Sequence, residues 1–194
     1  MSFPMQIDKA LMVLGWLAMA AAAGIGAANQ TMIAAQSEVG FVATEQGVPV
    51  DGSFGRFDAQ INLQPDNLQA STLFLSVDIA SVDFPSTEAQ QELAKPEWLD
   101  TAHFPKAEFR STRIRALGPD RFEISGTLTI KGHAGEVVVP VTLKRSGTTT
   151  FATGQLTIKR LDYGVGAGEW GDTSLVADAV QIKFKIALSG LPSG

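Results

Sequence analysis

From Phe122 to Leu143 apolar and polar side chains alternate with a period of two. Phe122, Ile124, Gly126, Leu128 and Ile130 fall on one face, and Arg121, Glu123, Ser125, Thr127 and Thr129 on the other. That period marks a half-buried strand. Beyond Lys131-Gly132-His133-Ala134-Gly135, the positions Val137, Val139, Val141 and Leu143 resume it. Two such runs across a short glycine-containing loop predict an antiparallel hairpin.

The same alternation recurs along the chain. A first strand is predicted from Met32 to Val42, interrupted by Gly47-Val48-Pro49, with a turn at Asp51-Gly52. Phe54, Phe57, Ala59, Ile61 and Leu63 carry the next strand, and Pro65-Asp66-Asn67 turns the chain. Leu73, Leu75, Val77 and Ile79 alternate with Thr72, Ser76 and Asp78. Further strands run through Ala107, Phe109 and Ser111, from Phe151 to Ile158, and from Val176 to Leu188. Gly154 reads as a bend or bulge. Residues 86–101 break the pattern. Thr87 and Gln90 stand at capping-box spacing, and Glu88 to Lys95 are good helix formers. Pro96 ends that helix, because a residue before proline is pushed out of the α region.

This gives eight strands and one short helical excursion. A sheet of that size must curl or pair to bury its apolar face, and closure also removes its edges. The predicted fold is all-β: an eight-stranded antiparallel barrel whose interior can hold side chains or one small ligand.

Composition narrows the chemistry. The 194 residues carry a formal charge of −5, which offers no basic patch for nucleic acid. With no cysteine, disulfides, thiolate nucleophiles and cysteine metal sites are excluded. Two histidines, His103 and His133, fall short of a zinc ligand set. Gly52-Ser53-Phe54-Gly55 is not a nucleophile elbow. Gly164, Gly166 and Gly168 lack the third glycine spacing and the βαβ context of a dinucleotide fingerprint, and read as a tight loop. Asp162 with Glu169 or Asp172 carries no mark of a general acid–base pair. Neither a catalytic residue nor a cofactor is indicated. Ala10 to Ala28 is apolar but rich in Ala and Gly, a poor membrane span. Residues 1–28 therefore read as a cleaved signal peptide in preference to a retained anchor, with residues 29–194 as one domain.

Aromatic side chains gather around the helical excursion, its flanking strands and the glycine loop, an arrangement suited to a deep apolar pocket. The candidate lining is Phe84, Leu93, Trp98, Leu99, Phe104, Phe109, Phe122, Ile124, Leu128, Phe151 and Trp170. Arg160, Asp162 and Tyr163 are candidates for a polar head-group site, with Arg160–Asp162 as a structural pair the alternative.

Taken in order, several segments resemble the YceI-like family of bacterial secreted proteins. They are Gly52-Ser53-Phe54, Leu75 to Val82, Trp98-Leu99-Asp100 with His103 to Phe109, Gly126 to Gly132, Pro140 to Leu143, and Arg160 to Gly166. The resemblance covers Ser37 to Leu188. It implies a lipocalin-like barrel that binds a polyisoprenoid or other long-chain lipid in the periplasm, without catalysis. Glu169 to Thr173 is similar to a branch found beside cytochrome b561-like membrane proteins, which implies a membrane cytochrome or quinone-linked partner. The alternative reading is a solid barrel that docks on such a partner. A second copy of the chain, as a homodimer, is a further candidate partner.

Overall fold

In the computed structural model, residues 30–191 are described. The signal-peptide or anchor reading of residues 1–28 lies outside them. Eleven strands form one antiparallel sheet: β1 (Thr31–Met32), β2 (Glu38–Glu45), β3 (Val48–Phe54), β4 (Phe57–Asn62), β5 (Thr72–Asp78), β6 (Val82–Asp83), β7 (Lys106–Gly118), β8 (Arg121–Ile130), β9 (His133–Ser146), β10 (Thr149–Lys159) and β11 (Ala179–Ser189). Their order is β4-β5-β7-β8-β9-β10-β11-β2-β3-β6, and β1 pairs with β11. The sheet curls around its apolar face.

The predicted central hairpin is β8–β9, with Ile130 opposite His133. Its loop is the two residues Lys131 and Gly132, at φ 49° and 74°. Positive φ at both central positions is what a type I′ turn requires, and its twist matches that of the strands. The loop predicted through Gly135 is thus shorter, and His133 already belongs to β9.

Strand count differs from eight for local reasons. The predicted first strand is broken by a 3-10 turn at Ala34–Gln36, and both its halves, β1 and β2, pair with β11. Pro49 does not interrupt the sheet. It sits in β3, opposite Thr44. The other side of β3 pairs only at Ser53 and Phe54, with β6, so Pro49 occupies an edge where no N–H is needed. The turn falls at Gln46-Gly47.

Asp51-Gly52 is also strand, not turn, and Gly154 is no bend. Both glycines are seats for aromatic rings. A Cβ on Gly52 would strike the Phe41 ring. One on Gly154 would come within 2.5 Å of both the Phe184 ring and the Pro140 carbonyl oxygen. Gly126 lies under Phe109 in the same way, with the Arg110 carbonyl also against it. All three glycines face inward. Each allows a phenylalanine to lie along the barrel wall.

The ends of the curled sheet are pinned by paired polar contacts. The Gln30 amide donates to the Leu63 carbonyl (2.7 Å) and accepts from the Leu63 N–H (2.8 Å). At the opposite corner Gly55 N–H donates to the Ser81 carbonyl (3.0 Å), and Arg56 pairs with Asp78 (2.8 Å). The helix, α1 (Thr87–Leu93), is capped by Ser86, whose hydroxyl accepts from the Ala89 N–H. The cap is therefore one residue earlier than Thr87.

Forcing a methyl into a filled seat costs roughly 1–3 kcal/mol. Gly126→Ala is expected to lower the thermal midpoint by roughly 2–4 °C per kcal/mol lost, followed by circular dichroism. An unchanged midpoint contradicts the seating of Phe109.

Candidate functional site

The inward faces of the strands line two apolar chambers. One, about 170 Å³, lies beneath α1 and the turn after it. Leu93, Trp98 and Leu99 line it from the excursion, Phe41, Phe54 and Ile158 from the strands, and Ile79 from the 3-10 turn after β5. The other, about 120 Å³, lies toward the far end, between Ile61, Phe122, Ile124, Leu143, Ile186 and Leu191. Leu75, Phe109, Leu128 and Ile182 line both. They form a waist between two parts of one lumen. Apolar linings accept apolar guests; an internal apolar cavity of about 150 Å³ takes up benzene.

Of the predicted lining residues, Leu93, Trp98, Leu99, Phe109, Phe122, Ile124 and Leu128 face the chambers. Four others do not. Phe84 stacks on Phe41, with centroids 5.9 Å apart, and faces an outer groove among Glu38, Asp51, Asp83, Lys183 and Lys185. Phe104 packs on the Gly132 turn. Phe151 stands on the outer face, opposite in parity to the inward Ala152, with the Lys185 ammonium 5.4 Å from its ring. Trp170 backs Trp98 at 5.5 Å without reaching the lumen. Sequence reasoning favoured aromatics, whereas the chambers are mainly aliphatic. Ile61, Leu75, Ile79, Ile158 and Ile182 were legible from strand parity alone.

Arg160 is 2% exposed. Its Nε donates to the Ala177 carbonyl (3.2 Å), Nη1 to those of Val165 (2.9 Å) and Gly166, and Nη2 to those of Trp170 (2.8 Å) and Val176 (2.9 Å). A guanidinium has five N–H donors, and all five are engaged. Gly164, Gly166 and Gly168, at φ 64°, 63° and 69°, supply the left-handed turns that wrap the chain around it. Gly166 has no room for a Cβ, which would meet Arg160 Nη1 and the Trp98 ring. Gly166 N–H also donates to the Glu97 carbonyl (2.8 Å), tying the loop to the helical excursion.

Burial pushes the Arg160 pKa below its ordinary value, and the Asp178 charge pushes the other way. The group stays protonated, since arginine titrates far above neutrality. The predicted Arg160–Asp162–Tyr163 head-group site is therefore not assembled. Arg160 has no donor left to offer. Asp162 is exposed and is not among its partners. Tyr163 is buried against Gly135, and burial, then the Asp162 charge, raises its pKa. His133 is exposed and abuts Gly164, whose carbonyl accepts from Lys131 Nζ (2.8 Å). The Lys131-Gly132-His133 turn thus braces the glycine loop. His103 pairs with Asp100 (2.8 Å). Among the described residues no cluster of three or more acids and histidines could hold a metal.

Removing the guanidinium orphans several buried carbonyls at roughly 1–3 kcal/mol each. Arg160→Met is expected to cost about 3 kcal/mol or more by this accounting and to speed amide exchange at Gly166. Wild-type stability and protection contradict the role.

The chain is similar to several known proteins. It is 38% identical to the crystal structure of Burkholderia cenocepacia BcnA, over 80% of this chain and 98% of that one, with a TM-score of 0.77. A Saccharophagus degradans structure described as a polyisoprenoid binding domain superposes with a TM-score of 0.68 at 20% identity, over 83% and 98% of the two chains. A UPF0312 protein of Vibrio cholerae is 25% identical over 68% of this chain and 75% of its own. The YceI-like domain matches residues 31–188, and with this curled antiparallel sheet the chain belongs to the YceI-like family.

Proposed function

We propose that the barrel takes up an isoprenoid or similar long-chain amphiphile into its lumen and carries or stores it in the periplasm without catalysis. The observation that carries this reading is the pair of apolar chambers joined at one waist. A solid core would leave nothing to fill. Here a chain threaded past Leu75, Phe109, Leu128 and Ile182 would reach both chambers. Each buried methylene contributes about 0.8 kcal/mol, so a chain needs few polar contacts to bind. The Saccharophagus degradans structure described as a polyisoprenoid binding domain shares this fold and supports the same reading. The two volumes are small beside the 300–1,000 Å³ or so of ligand pockets. A long lipid therefore requires the waist side chains to rotate aside.

The test is extraction of the purified protein with organic solvent and mass spectrometry, followed by uptake of added geranylgeraniol. Recovery of a bound isoprenoid, or saturable uptake, is the expected result. Repeated recovery of no lipid, with no uptake, contradicts the proposal. Threading makes a second prediction. Leu75→Phe fills the waist and is expected to weaken geranylgeraniol binding by about ten-fold, near 1.4 kcal/mol, while the circular dichroism spectrum is kept. Undiminished binding shows that the chain does not pass there.

A further inference from the structure

The formal charge of −5 is not spread evenly over the barrel. The β7–β8 and β9–β10 turns and the loop between β4 and β5 stand together at the far end. Across residues 62–72, 112–124 and 141–152 lie five cations, Arg113, Arg115, Arg121, Lys144 and Arg145, and three acids, Asp66, Asp120 and Glu123, a local balance of +2. All five cations are exposed. The Arg115–Glu123 ion pair (2.8 Å) cancels itself and leaves the balance unchanged. The end beneath α1 is the reverse. Residues 83–106, 130–135 and 159–179 carry five Lys and Arg against nine Asp and Glu, a balance of −4.

Distance keeps the two ends electrically separate. β8 alone has ten residues, roughly 30 Å of chain at about 3.3 Å each. The screening length at physiological salt is about 8 Å. A charged surface that touches the far rim therefore feels its cations and hardly the acids around α1.

Apolar side chains share this rim. Leu117 is 45% exposed among the cations. Leu63, Phe122, Leu143 and Leu191, which line the far chamber, lie at the same strand ends and are half-buried. The apolar lining of the lumen thus comes up to the basic rim. A nucleic acid would match the cations but not the leucines. An anionic bilayer matches both, because cations rest on its head groups while apolar side chains enter the interface.

We propose that the far rim docks on a bilayer containing anionic lipids, with the far chamber turned toward it. The docking is independent of the lipid-binding reading above; exchange of cargo at the rim rests on that reading.

Sedimentation with vesicles of mixed phosphatidylglycerol and phosphatidylcholine, against phosphatidylcholine alone, tests the docking. The protein is expected to bind the anionic vesicles at least about ten-fold more tightly. That preference is expected to vanish as salt rises from about 0.1 M to about 1 M, where the screening length falls from about 10 Å to about 3 Å. Arg113→Glu/Arg121→Glu turns the rim from +2 to −2 and is expected to abolish the preference. Lys95→Glu/Lys159→Glu changes the total charge equally at the end beneath α1, and is expected to weaken binding by less than about two-fold. Equal losses in the two variants, or no preference for anionic vesicles in the wild type, overturn the proposal. Uptake of geranylgeraniol from solution keeps the two readings apart. Arg113→Glu/Arg121→Glu is expected to retain it, and its absence from the wild type overturns the lipid-binding reading without touching the vesicle result.

Discussion

The interior of this barrel depends on rings laid across glycines. Phe41 lies on Gly52, Phe109 on Gly126 and Phe184 on Gly154. A side chain on any of these glycines would drive the ring toward the axis. With glycine there, each ring covers the wall and leaves the centre free. Protein interiors are otherwise packed to crystal density, so an empty apolar lumen needs such a cause. A phenylalanine stacked over a cross-strand glycine also restores burial that the glycine lacks, and so helps to hold a curved sheet. The same three phenylalanines line the chambers, and Phe109 reaches both. Wall, waist and volume therefore follow from one recurring contact.

A second constraint closes the end beneath α1. The loop after β10 winds around the Arg160 guanidinium and brings Gly166 to the Glu97 carbonyl and the Trp98 ring. The buried cation is a scaffold there. It fixes the wall that Trp98 belongs to.

Much of the fold was legible in the sequence. The β8–β9 hairpin, the helical excursion, the inward parity of Ile124 and Leu128, and the tight glycine loop all follow from period, turn chemistry and capping. The misreadings share a physical origin. Gly52, Pro49 and Gly154 carry turn or bend propensity, yet each sits within a strand for a tertiary reason: a ring to seat, or an edge without a ladder partner. Local propensity cannot report either. The site was half legible. Aromaticity alone suggests an inward Phe151 and Phe84, but parity places Phe151 outside and stacking places Phe84 at the outer groove. The sequence sets Arg160 beside Asp162 and Tyr163 as a head-group candidate or a structural pair, and the fold makes it neither. The five carbonyl partners of Arg160 come from residues 165–177, a closure that only the folded loop displays.

The central claim is that the glycine seats hold open an apolar lumen divided by one waist. Crystals of the protein pressurised with xenon test it most directly, since apolar cavities bind this gas. The account predicts xenon density on both sides of Leu75, Phe109, Leu128 and Ile182. A barrel that takes up no xenon in either chamber, with the three phenylalanine rings turned toward the axis, would contradict it.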